Sequence, residues 1–185
     1  MAGKLRLTVT PYSFSKNMFG AYCDIMSMVN ADDWVCFTDC DVAFLEMSDF
    51  GDVIQGYIDR YPDTGMFTCY ASRCHYSCQR TNFDMGTDSI VAVAQESVDV
   101  RNKMEWKYKS IKRKVAGHLL VMQKRTWLAI LPTLNGYVKK KKKKILGFDT
   151  QLSRALLIKG YDIKLMEVFV FHYLRMLNGK NDKIE

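Results

Sequence analysis

Residues 30–45 read NADDWVCFTDCDVAFL, and the middle of that stretch decides the fold. Trp34 to Thr38 is rich in β-branched and aromatic residues and too short for a helix, so it predicts a buried strand. The strand runs straight into Asp39-Cys40-Asp41. The acidic pair therefore stands at a strand's carboxyl end, where open α/β sheets place their ligands.

Working outward, the neighbouring segments alternate between strand and helix patterns. Leu5, Leu7 and Val9 alternate with polar residues up to Pro11, a strand followed by a turn. From Asn17 to Val29 the apolar residues Met18, Tyr22, Ile25, Met26 and Val29 recur at helical spacing, and the Asn30 to Asp33 cluster ends them. Ser48 or Asp49 is expected to cap a helix with the face Val53, Ile54, Tyr57 and Ile58, closed by Tyr61-Pro62. A strand from Met66 to Tyr70 follows.

Further on, the pattern predicts a polar, Cys-containing loop, then a helix between Asp88 and Tyr108 and a strand from Val115 to Met122. A short helix from Arg125 to Leu131 is expected to stop at Pro132. A last helix from Asp149 to Lys159 ends at Gly160, and two short strands, Asp162 to Met166 and Val168 to His172, precede a polar tail. These readings predict one α/β domain over residues 1–185. Its expected sheet is mainly parallel, with helices on both faces and a small antiparallel addition late in the chain. Residues 133–148 are expected to be a flexible, Lys-rich loop.

Composition narrows the class. The chain has 185 residues, 48% of them hydrophobic, and no tract of ~20 apolar residues that would span a bilayer. MAGKLRLTVT lacks the apolar core and cleavage site of a signal peptide, so a cytoplasmic protein, at most peripheral to a membrane surface, is expected. The six cysteines fall in apolar, strand-like segments and are expected to be reduced. A structural zinc site at Cys69, Cys74, His75 and Cys78 is the alternative for three of these cysteines, although the spacing is not that of paired C-x-x-C knuckles. Of the net charge of +7, six charges belong to Lys139–Lys144, which leaves +1 elsewhere (7 − 6). That run is either a solvated loop or a contact for an anionic surface.

Fifteen aspartates in this length give roughly one D-x-D by chance, so the position of the motif matters more than its presence. Two carboxylates one residue apart at a strand end can share Mn²⁺ or Mg²⁺, hard cations that take oxygen ligands and are completed by phosphates and water. The plain alternative is a solvated turn. For His172, which follows Phe169 and Phe171, the plain alternative is a satisfied core histidine, and for Asp149 it is the N-cap of the last helix.

The 30–45 segment resembles the part of GT-A glycosyltransferases, of the inverting family 2 type, in which a hydrophobic strand delivers a D-x-D motif to a nucleotide-sugar site. KNMFGAYCD (16–24) resembles the helix start that follows the first strand of that family. AGHLLVMQKRTW (116–127) resembles its glycine-bearing strand, basic pair and helix, and GFDTQLSRALLIKGYDIKLMEVFVFHYLR (147–175) resembles its closing segment.

The resemblance implies a GT-A-like, Rossmann-like fold and transfer of a sugar from a UDP- or GDP-sugar to a hydroxyl on a glycan, lipid or protein. It implies donor contacts at Thr10, Pro11, Tyr12, Asn17, Asp39 and Gly117, and Mn²⁺ or Mg²⁺ held by Asp39, Asp41 and His172. Asp149 would be the general base. The chain departs from the pattern at Phe148, where the family commonly has a second acidic residue, and in the brevity of the segment between Thr10 and Asn17.

Two other functions fit less of the sequence. A nucleotidyltransferase would carry a glycine-rich phosphate loop after its first strand, and TPYSFSKN (10–17) contains no glycine. A basic, catalytically weak or inactive module that binds nucleic acid or an anionic membrane or glycan would rely on the Lys run, which lacks the interleaved aromatics that stack on bases.

Overall fold

The computed structural model describes residues 3–14, 17–45, 47–81, 89–140 and 147–172. The chain is α/β, and its elements follow one another as β1 (Leu5–Val9), α1 (Met18–Ser27), β2 (Trp34–Thr38), β3 (Val42–Phe44), α2 (Phe50–Arg60), β4 (Met66–Ala71), α3 (Ile90–Met104), β5 (Lys109–Ile111), β6 (Leu119–Gln123), α4 (Lys124–Lys140), α5 (Phe148–Ile158) and β7 (Ile163–His172), with a 3₁₀ turn at Ser77–Gln79.

The strands form one sheet in the order β1-β2-β6-β4-β7-β3, with β5 also on β7. Only β1·β2 and β4·β7 are parallel pairs; β2·β6, β4·β6, β3·β7 and β5·β7 are antiparallel. The sheet is therefore mixed, not mainly parallel, and its antiparallel character lies at the centre as well as late in the chain. The reason is local. After α3 the chain adds β5 and then enters the sheet through residues 112–118 with no further helix, so β6 starts at the end where β2 stops, Thr38 opposite Leu119.

Helices cover both faces. Every residue of β2 is buried because its alternate side chains serve two cores. Val35 and Phe37 pack with Tyr22 and Met26 of α1, Trp127 and Ile130 of α4, and Leu152 of α5. Trp34 and Cys36 pack with Val53, Ile54, Tyr57 and Ile58 of α2. A smaller cluster joins Val93 and Val100 of α3 to Phe169 and Phe171 of β7.

Two helix boundaries differ from the sequence expectation. Pro132 lies inside α4, which continues to Lys140, so the expected loop at 133–148 is helical over its first eight residues. A proline costs a helix one hydrogen bond, and burial of Trp127 and Ile130 before it and Leu134 after it anchors both halves. Residues 141–146, with Lys141–Lys144, lie outside the described residues. At the start of α5 the N-cap is Gly147, at φ +80°, and Asp149 sits inside the first turn.

The two expected late strands are one. β7 runs through Glu167, which is buried at an irregularity where β7 advances four residues, Leu165 to Phe169, against two on β4. The Glu167 carboxylate accepts a hydrogen bond from Trp106 N at 2.6 Å, and Glu167 N donates to the Tyr57 hydroxyl at 3.1 Å. Those partners let a charged residue remain inside a buried strand.

Candidate functional site

Two strand ends and two strand starts meet at one edge of the sheet. Asp39 N donates to the His118 carbonyl at 3.2 Å, extending the β2·β6 ladder one step beyond Thr38 and holding Asp39 against the start of β6. The chain then turns through Cys40 and Asp41 into β3, whose Val42 is opposite His172 at the end of β7. His172 N donates to Ser72 Oγ at 2.9 Å.

This arrangement packs two histidines and two aspartates together. The His118 and His172 rings are 5% and 2% exposed and their centroids are 4.0 Å apart. His172 Nε2 lies 3.3 Å from Asp41 Oδ2, and His118 Nδ1 lies 3.7 Å from Asp39 Oδ2. The hydrogen bond to His172 holds the Asp41 carboxyl below the usual aspartate range, against the opposing effect of burial. Both nitrogens of His118 and Nδ1 of His172 are buried without a hydrogen-bond partner. One ligand atom each from Asp39, His118 and His172 lie within 4.8 Å of one another, the only such group of metal-ligating side chains among the described residues.

A cavity of about 520 Å³ opens beside this group, and Asp39, His118, His172, Gly117 and Asp149 line it together with Phe148, Arg73, His75 and Tyr76. Asp149 Oδ1 accepts from Thr150 N at 2.8 Å. Burial raises the Asp149 carboxyl above the usual range; the Thr150 N–H opposes that effect and the neighbouring Asp39 charge reinforces it. Ser153 Oγ donates to the Asp149 carbonyl at 2.8 Å and accepts from Val115 N at 3.3 Å, tying the first turn of α5 to the segment leading into β6.

Phe148 has a packing role. It is buried against Tyr22, Phe19 and Trp127, with ring centroids 4.7, 6.0 and 6.3 Å away. An acidic side chain there would enter an aromatic core.

Of the sequence-predicted residues, Asp39, Gly117, Asp149 and His172 line the cavity, and Asp41 stands behind His172. Thr10 is at the end of β1, its Oγ1 3.1 Å from Thr38 Oγ1, beside the end of β2. Tyr12 is 71% exposed and meets the edge of Phe14. Asn17 caps α1, its Oδ1 accepting from Gly20 N at 3.1 Å, and α1 instead sends Met18 and Tyr22 to the cavity. Thr10, Pro11, Tyr12 and Asn17 are not among the lining residues.

The sequence reads His118 as an ordinary strand residue and gives no sign of Gln79. The signal for His118 was a histidine directly after the glycine of AGHLL, which gains meaning only once β6 runs antiparallel to β2. Gln79 is fully buried; its Oε1 accepts from Ala116 N at 2.6 Å and its Nε2 donates to Thr68 Oγ1 at 3.0 Å and the Cys69 carbonyl at 3.2 Å. It therefore fixes the residue before Gly117.

Cys69, Cys74, His75 and Cys78 do not assemble into a metal-ligand group. Cys74 Sγ donates to Gln79 Oε1 and Cys78 Sγ to the Lys114 carbonyl. Burial pushes the Cys74 thiol up to about 11 and raises Cys69 and Cys78 as well. Among the described residues, no helix is long and apolar enough to cross a membrane.

The chain matches no protein-family model and no curated protein sequence.

Proposed function

We propose that the chain is a GT-A-type glycosyltransferase that moves a sugar from a nucleoside diphosphate donor, UDP- or GDP-linked, to a hydroxyl acceptor. One observation carries the reading. A half-buried carboxylate, Asp149, faces the group around Asp39, Asp41 and His172 across Gly117 in a single cavity. Such a cavity is of the size of small-molecule sites.

The residues fit a divalent cation on their own chemistry, because three buried imidazole nitrogens lack partners beside two carboxylates. Asp39 and His172, with the side chains packed against them, would hold it. When bound, a cation of this kind offsets the charge of a leaving diphosphate.

The chain's own residues account for the rest. Asp149 accepts the proton of the acceptor hydroxyl while that oxygen bonds to the anomeric carbon. The bond from that carbon to the diphosphate oxygen breaks with its electron pair leaving on the nucleoside diphosphate, and the configuration inverts. A carboxyl raised by burial is a stronger base than an ordinary one. Gly117 leaves room for the sugar between Asp39 and Asp149, and Arg73 supplies positive charge at the margin.

The test is a thermal-shift and calorimetric screen of UDP, GDP, CDP and dTDP, each with and without Mn²⁺, followed by transfer assays with the corresponding sugars. One nucleotide is expected to stabilise the protein only with Mn²⁺, and Asp149→Asn is expected to bind it without turnover. Salt-dependent binding of RNA or anionic vesicles with no nucleotide response would replace this reading with that of a basic binding module.

A further inference from the structure

The two histidines of the site are not equivalent. His172 spends Nε2 on Asp41 at 3.3 Å and leaves Nδ1 without a hydrogen bond, whereas neither nitrogen of the buried His118 ring is hydrogen-bonded and its Nδ1 lies 3.7 Å from Asp39 Oδ2. A buried polar atom without a hydrogen bond costs on the order of 1–3 kcal/mol, and here one nitrogen of each ring comes within 4.8 Å of the other and of an Asp39 carboxylate oxygen. A core histidine kept for packing would find a backbone carbonyl or hydroxyl for at least one nitrogen.

We infer that His118 and His172 Nδ1, together with the Asp39 carboxylate, form a two-imidazole site for a divalent transition-metal ion, and that Asp41 acts through His172 by gripping its far nitrogen. This redistributes the roles expected of a D-x-D pair. One carboxylate is a ligand and the other orients a ligand, the carboxylate–histidine–metal arrangement that fixes an imidazole's tautomer and raises its basicity. The consequence is selectivity. Mg²⁺ and Ca²⁺ are hard cations that take oxygen ligands, while imidazole nitrogen suits Mn²⁺ less than Co²⁺ or Zn²⁺ but all three more than Mg²⁺. The role of the ion in catalysis rests on the proposed function; its binding does not.

The experiment uses the full chain and the ions alone, without nucleotide. Affinities for Co²⁺, Mn²⁺ and Mg²⁺ are measured by calorimetry on wild type, His118→Asn and Asp41→Asn, and the Mn²⁺-loaded wild type is examined by pulsed EPR for coupling to imidazole nitrogen. Wild type is expected to bind Co²⁺ and Mn²⁺ more tightly than Mg²⁺ and to show two coupled imidazoles. His118→Asn should lose one of the two, with Co²⁺ affinity down by roughly tenfold or more. Asp41→Asn should weaken binding about 10- to 100-fold and keep both nitrogens.

Oxygen-only coordination in wild type, equal preference for Mg²⁺, or unchanged Co²⁺ binding in His118→Asn would overturn the inference. The wild-type spectrum decides even if the His118 variant does not fold. The two readings fail separately. An ion bound through two imidazoles with no nucleotide response sinks the transferase and leaves the ion site, whereas Mg²⁺-supported sugar transfer that survives His118→Asn sinks the ion site and leaves the transferase.

Discussion

Gly117 faces Asp149 so closely that a methyl in place of its hydrogen would lie 3.3 Å from Asp149 Cβ, and 3.8 Å from Asp39 Oδ1. Glycine is needed here for space, since its φ is not in the left-handed region. Gly117→Ala is therefore expected to fold and to melt close to wild type, while displacing the Asp149 carboxylate from the acceptor. Misplacement by about an ångström can cost about 100-fold in rate, and Asp149 has to give by only a few tenths of that, so kcat for sugar transfer should fall by less, roughly several-fold. Full activity with the methyl present would show that the gap between the two carboxylates is not used.

Asp149 links activity and stability in opposite senses. Its folded pKa is raised above the ordinary aspartate value of 3.8, so its contribution to stability is fully present below that value and is lost as pH rises through the folded pKa. Asp149→Asn, which cannot ionise, should consequently match or exceed wild type in Tm at neutral pH, with the advantage shrinking as the buffer is taken toward pH 4. Transfer should drop by about 10²- to 10⁴-fold in the same variant. The wild-type rate should show an acid limb with a midpoint above 3.8, and a variant less stable than wild type at pH 7.5 would contradict the burial account.

Replacing Gln79 with leucine removes the partner of Ala116 N and of the Cys69 carbonyl from a buried position, while Thr68 Oγ1 loses one bond and keeps its bond to the Leu119 carbonyl. At about 1–3 kcal/mol for each buried group left unpaired, the loss should be a few kcal/mol, read as a lower urea midpoint at unchanged slope. Nucleotide affinity should weaken in parallel, because Ala116 positions Gly117 and His118. A midpoint within error of wild type would mean that water replaces the amide.

Installing at Phe148 the acidic residue that the resembling family carries before its base should not improve the proposed transfer. Phe148→Asp deletes an aromatic ring from the cluster of Tyr22, Phe19 and Trp127, which costs about 3–5 kcal/mol before any buried charge is counted. The variant is expected to be largely unfolded by near-UV circular dichroism, whereas Phe148→Leu should retain the fold at a smaller loss. A stable, more active Phe148→Asp would refute the packing role.

The amino-acid sequence was most legible where one physical signal dominated. The apolar run Trp34–Thr38 reads as a buried strand because both of its faces meet helices, and the Val53, Ile54, Tyr57 and Ile58 stripe reads as α2 because it covers a single face. Strand direction was not legible. Nothing in AGHLLVMQ states which way β6 runs, yet that direction brings His118 to Asp39. Gln79 was hidden for a related reason, since most of its partners are main-chain atoms that any sequence would supply. Pro132 misled as a local helix stop, and Glu167 fell between two expected strands, while distant burial and Trp106, Tyr57 and β4 decide what happens at those positions.

The three candidate donors come from far apart in the chain: 79 residues separate Asp39 from His118 (118 − 39), and 54 separate His118 from His172 (172 − 118). No unfolded chain would hold them together, so an ion seated there belongs to the folded form alone, and its binding energy adds directly to folding. Each tenfold excess of ion over its dissociation constant then deepens the native state by about 1.4 kcal/mol. Starved of the ion, the protein would be exposed to proteolysis through its unfolded fraction, so that its abundance in a cell would follow the supply of a trace element as well as the rate of its own synthesis.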